Sequence, residues 1–302
     1  AEVIFPDGIT ELNSPPFGSG LGLSTTGVDP EKQWAGSRAH NRWLAEFCAL
    51  APDRRVGVAI VPALWDVDAA VAEVSWAREN GLGGIMLPVV WGSQPPYHLR
   101  QYDQLWAACT DADIVVHFHA GPAPMEDYFV PDANGVFPEG AVGLYASEVA
   151  WWLARPVSFM IGSGVFERFP NLKLALTEGA CSWVPEYLAQ LDRGFAAHRA
   201  QAQLGDYAKH LSLTPSEYFR RNVRLGASCI SRREAEDREA IGIESITWGS
   251  DYPHPEGAWP DTSAQMREIF TGLPDDEIAA MLGRNAADYY GLDWTQLEKI
   301  AA

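Results

Sequence analysis

Three hydrophobic runs in this 302-residue chain each end in a side chain that can bind a cation or move a proton. Val115-Val-His-Phe-His119 ends in His119, Leu172-Lys-Leu-Ala-Leu-Thr177 is followed by Glu178, and Ile246-Thr-Trp-Gly-Ser-Asp251 ends in Asp251. Imidazole and carboxylate together form a donor set for a divalent ion, and a carboxylate beside metal-bound water accepts its proton. The three residues act together only if three strand ends meet, as they do at the mouth of a closed barrel. Taken singly, each is as readily a turn or capping residue. Their recurrence after three separate runs is what points to a site.

Alternation along a strand sharpens this. His117 and His119 share one face, and Val116 and Phe118 share the other. If the histidines face inward, His119 is nearer the mouth and His117 lies one layer deeper, as a further metal ligand or as a hydrogen-bonded core histidine. His254 is placed to touch substrate or to orient the Asp251 loop. Trp183, Trp248 and Trp259 are candidates for an apolar pocket wall, although with 12 tryptophans in the chain core packing is the competing reading for each.

The elements that would position these residues repeat along the chain. Arg55–Val61, 84–87, 113–119, 172–177, 222–227 and 244–249 read as short buried strands. Between them, 66–80, 102–109, 142–154, 159–168, 182–198, 215–221 and 232–240 carry helical spacing, and 262–271 and 275–281 follow the last strand. A proline-rich loop spans about 120–140. Alternating strands and helices predict a parallel sheet with right-handed crossovers. No glycine-rich phosphate turn follows an early strand, which disfavours a doubly wound dinucleotide fold. The expectation is an α/β chain forming a (β/α)8 barrel. Only six strands are legible, so one strand is expected upstream of Ala1 and another is too weak to read. The chain opens Ala1-Glu-Val with no initiator Met, like the interior of a longer protein. Residues 1–37 read as an irregular N-terminal segment and 38–302 as one barrel domain.

Composition narrows the partners. Forty acidic against 22 basic residues give a net charge of −18, which opposes binding to a phosphate backbone, so no nucleic acid partner is expected. No run approaches the roughly 20 apolar residues that span a bilayer. Four scattered cysteines without paired metal spacing suit buried thiols in a reducing compartment, and a cytoplasmic location is expected. Trp151 and Trp152 sit side by side in a helical stretch and cannot both face one core, which suggests a homo-oligomer interface.

Several segments resemble the amidohydrolase-related branch of the amidohydrolase superfamily. Gly249-Ser-Asp-Tyr-Pro-His254 matches the last-strand signature of that branch, and Arg168-Phe-Pro-Asn-Leu-Lys173 with Trp183 matches an earlier strand entry. Gly283-Arg-Asn-Ala-Ala287 with Tyr290-Gly-Leu292 matches its closing helix, and His40–Phe47 with Pro52-Asp-Arg54 its early helix. The branch holds metal-dependent hydrolases and non-oxidative decarboxylases such as aminocarboxymuconate semialdehyde decarboxylase. The resemblance implies a barrel-mouth site with one divalent ion, usually zinc. His119 corresponds to the mid-barrel histidine ligand and Asp251 to the last-strand aspartate, which can touch both metal and water. The branch also draws two ligands from a first-strand His-x-His motif, which does not occur before His40. Where better-known members carry a histidine, this chain has Glu178, which can bind metal or act as acid or base.

The leading expectation is hydrolysis of a small-molecule ester, lactone or amide by metal-activated water, with Asp251 and Glu178 catalytic. The alternatives are non-oxidative decarboxylation in the same fold, with Arg100 as a possible carboxylate clamp, and a metal-free barrel with a binding role.

Overall fold

Among the described residues the apolar runs form seven parallel strands whose order in the sheet is their order in the sequence: β1 (Glu2–Ile4), β2 (Arg55–Ile60), β3 (Gly84–Met86), β4 (Val115–His119), β5 (Leu174–Thr177), β6 (Val223–Ser228) and β7 (Ile246–Gly249). The computed structural model describes residues 1–6, 29–90, 92–93, 95–201, 208–255 and 257–301. Among them no helix is long and apolar enough to cross a membrane. The fold is α/β, a curled parallel sheet with helices packed on its outer face.

All six strands read from the sequence are present, and the structure adds β1, which pairs with β2 through Val3 and Val56. This strand lies in the segment read as irregular. The same segment also contains the start of helix Pro30–Ala49, and residues 7–28 lie outside the described residues. A three-residue strand is too short to display an alternation. The helix has an interpretable start that the Gly/Pro-rich surroundings obscured: the Asp29 side chain accepts from the amides of Glu31 and Lys32, and Pro30 occupies the first turn.

A second difference concerns Pro156. The helical spacing predicts two helices, 142–154 and 159–168, on either side of Arg155-Pro156, but a single helix, Ala141–Gly162, runs through the proline, followed by the short helix Val165–Arg168. An interior proline costs about 3 kcal/mol. Burial of Leu153, Val157, Met160 and Ile161 on the face toward the core offsets that cost.

The strands sort their side chains by face. Val116, Phe118, Leu174 and Leu176 join the main core between sheet and helices. Facing the barrel axis, Val58 and Met86 pack with Val3 and Phe5, while Val115 and Ala175 pack with Tyr289 and Tyr290. Tyr289 closes one end, donating its hydroxyl to the Leu174 and Asn222 carbonyls. The axis is thus filled from that end upward, as in barrels generally, and the strand ends at the opposite mouth carry the residues of interest.

Candidate active site

His117 and His119 both face the axis, with partners Ala175 and Thr177 on β5. They divide as layers. His117 is fully buried, with Nδ1 3.0 Å from Thr177 Oγ1, Nε2 3.3 Å from the Tyr290 hydroxyl, and its ring stacked 6.0 Å from that of Tyr290. Burial, reinforced by nearby His119, pushes its pKa down to about 3, so it stays neutral at physiological pH. These contacts place His117 in the core layer and apart from the carboxylates at the mouth. Its expected role as a metal ligand has no geometric support.

His119 stands one layer higher. Its Nδ1 lies 2.7 Å from the Ala120 carbonyl, an acceptor only, so that nitrogen carries the proton. Nε2 then points its lone pair toward Glu178 Oε2, 2.9 Å away. Two acceptors at that distance need a proton or a cation between them. A histidine whose other nitrogen is anchored on a backbone carbonyl is the usual form of a metal ligand. Phe5 packs edge-on against both histidine rings, at 5.2 and 5.9 Å between centroids.

The two carboxylates reach the mouth from strained backbone. Glu178 follows β5 with φ 60°, and Asp251 follows β7 with φ 55°. Cys229, directly after the intervening β6, has φ 55°. Left-handed non-glycine residues cost of order 1–3 kcal/mol each and collect at functional sites. His254 joins the two acids: its Nδ1 lies 3.2 Å from Asp251 Oδ1 and 3.7 Å from Glu178 Oε1. Burial raises the pKa of Glu178, but with a proton held between His119 Nε2 and Glu178 Oε2 the hydrogen bonds and charges of His119 and His254 outweigh it and hold the carboxyl below its ordinary value. Glu178, Asp251 and His254 each offer a donor atom within 4.8 Å of the others, a candidate cation site that His119 adjoins through Glu178.

The Asp251 turn is closed on itself. The amide of His254 donates to the Asp251 carbonyl, that of Gly257 to His254, and that of Ala258 to Ser250. A Cβ on Gly257 would lie 2.7–2.9 Å from the carbonyl oxygens of Asp251, His254 and Ser250, so only glycine fits.

Four of the residues singled out from the sequence therefore meet: His119, Glu178, Asp251 and His254. Others do not. Arg100 is exposed and bonds Asp103 at 3.0 Å, so no contact brings it to the mouth as a clamp. Trp183 and Trp248 are half-buried and pack against the main core. Trp259 is 68% exposed and pairs edge-on with Tyr252. Trp151 is exposed, whereas Trp152 donates to the Tyr128 hydroxyl. Tyr290, Thr177, Phe5 and Gly257 were not singled out as site-forming. Thr177 was findable, because it alternates with Ala175 on the inward face of a strand already read; Tyr290 and Phe5 meet His117 only through tertiary folding.

Comparison with known proteins gives this arrangement a setting. A family profile described as Amidohydrolase matches residues 10–292. A curated gamma-resorcylate decarboxylase from Rhodococcus jostii is 26% identical over 233 residues, 72% of this chain and 66% of that protein, so the chain spans just under two thirds of its length. Among solved structures, 5-carboxyvanillate decarboxylase from Sphingomonas paucimobilis is 25% identical with a TM-score of 0.67, over 90% of this chain and 78% of that one. A dihydroxybenzoic acid decarboxylase from Polaromonas with bound manganese aligns over 92% of this chain and 80% of its own, at 21% identity and a TM-score of 0.66.

Proposed function

The chain belongs to the amidohydrolase family, and on that premise we propose that its barrel mouth catalyses non-oxidative decarboxylation of a small aromatic or enoic acid. The observation that carries this reading is the convergence of His119, Glu178, Asp251 and His254 in a chain similar to curated decarboxylases. Glu178, Asp251 and His254 fit a divalent cation, each offering a donor atom within 4.8 Å of the others, and the Nε2 lone pair of His119 faces Glu178 beside them. When bound, such an ion supplies positive charge for the substrate carboxylate. That role matters here because Arg100 is engaged elsewhere. Manganese, found in a structural relative, is the first ion to try; zinc is the second.

The chain's own groups account for the remaining chemistry. In decarboxylation the bond between the carboxylate and its carbon breaks, carbon dioxide leaves, and that carbon takes a proton. The Asp251–His254 pair, in contact at 3.2 Å, can hold this proton at the mouth. Glu178 and His119 fix one edge of the site, and the Tyr290–His117 layer closes the floor against water. Hydrolysis of an ester, lactone or amide, favoured on sequence alone, would use the same acids on a water molecule. The decarboxylating relatives tip the choice.

A panel of hydroxybenzoic acids, incubated with manganese-loaded protein and followed by chromatography for loss of carbon dioxide, separates the two. The proposal expects a decarboxylated product from at least one acid. Turnover of aryl esters or lactones with none of the acids would replace it with the hydrolase reading.

A further inference from the structure

One buried acid outside the donor group bonds two strand-end loops at once. Glu234, 6% exposed, belongs to the helix Arg232–Glu236 that follows β6, and its two carboxylate oxygens serve different loops. Oε1 accepts from the amides of Cys181 and Ser182, at 2.6 and 3.0 Å, in the turn that begins with Glu178. Oε2 accepts from the amide and hydroxyl of Ser231, at 2.9 and 2.8 Å, in the loop that begins with Cys229. On the other side of the Glu178 turn, a Cβ on Gly179 would stand 2.5 Å from Leu153 Cδ2, the end of a side chain that can move aside. A left-handed glutamate persists only where its surroundings over-determine it.

We infer that Glu234 is a positioning residue for the site, clasping adjacent strand-end loops so that Glu178 is presented to His119. The inference rests on the cation site proposed above only for one of its two readouts. A helix cap would need Oε2 alone; the grip of Oε1 on a second loop has no capping purpose. Charge-assisted bonds from two amides to one oxygen are strong and directional. Outer partners of this kind typically change metal affinity by about 10–100-fold when lost.

Glu234→Gln tests the clasp with almost no change in volume, because its amide NH2 must face the donors of one loop or the other. Ser231→Ala is the control, since it weakens the helix cap and leaves Oε1 in place. Crystal structures and manganese titration are compared for both variants and the unaltered protein. The clasp requires that Glu234→Gln opens the 2.9 Å contact between Glu178 and His119 and weakens manganese binding about tenfold or more, while Ser231→Ala keeps both. An unmoved Glu178 with unchanged affinity in Glu234→Gln, whatever its melting temperature, would overturn the inference. So would an equal loss in Ser231→Ala. If the unaltered protein binds no manganese, the cation reading fails and the crystallographic arm alone decides on the clasp. If Glu234→Gln does not fold, Glu234→Asp, one methylene too short to span both loops, replaces it under the same criteria.

Discussion

Asp251 combines a strained backbone with a reactive side chain, and Asp251→Asn separates the two. Asparagine tolerates the left-handed region as aspartate does, so the turn at φ 55° survives the exchange. The amide can neither hold the transferable proton nor contribute a full negative charge. Turnover is expected to fall about 10²–10⁴-fold, with a melting temperature close to that of the unaltered protein. If Asp251 merely stabilises its turn, asparagine serves equally well there, and the variant will keep both its stability and its activity per folded molecule. His117 makes a prediction of a different sort. An unfolded histidine takes up a proton near pH 6.5, but the folded one resists until about pH 3, so the unfolded state binds the extra proton between those limits. Stability from this group is therefore complete above pH 6.5 and is lost as pH falls toward 3. Between pH 7 and 5 the loss is about 2 kcal/mol, and His117→Gln should flatten that part of a denaturation-versus-pH series.

At the scale of elements, the turn after β7 is held by carbonyls that leave no room beside Gly257. Gly257→Ala should displace Asp251 and His254 together, lowering turnover about 100-fold and stability by about 1–3 kcal/mol. Normal turnover in a folded Gly257→Ala protein would mean that the turn does not position the acid. Much of this level could be read in advance. Six buried strands announced themselves because each has apolar runs bounded by polar residues, and His119, Glu178 and Asp251 stood at three of their ends. Strand β1 escaped because three residues carry no period, and the helix through Pro156 escaped because local propensity was outweighed by burial of Val157 and Met160. Glu234 was hidden for a related reason: its contact with Cys181 spans 53 positions, and only the folded chain brings the two together.

For the molecule as a whole, fold and family were legible, while the choice of reaction was not. Hydrolysis and decarboxylation draw on the same imidazole and carboxylates, and nothing in residue spacing distinguishes an attacking water from a departing carboxylate. Arg100 shows the limit plainly: its type suited a carboxylate clamp, but its pairing with Asp103 depends on where the loop folds. What both readings share is the claim that His119, Glu178, Asp251 and His254 are one cation site. Calorimetric titration of chelator-treated protein with manganese tests it most directly, run beside His119→Ala and Glu178→Gln. The account predicts one ion per chain, with affinity reduced at least tenfold in each variant while circular dichroism remains unchanged. Absence of binding to the unaltered protein, or binding that both variants leave intact, would contradict it.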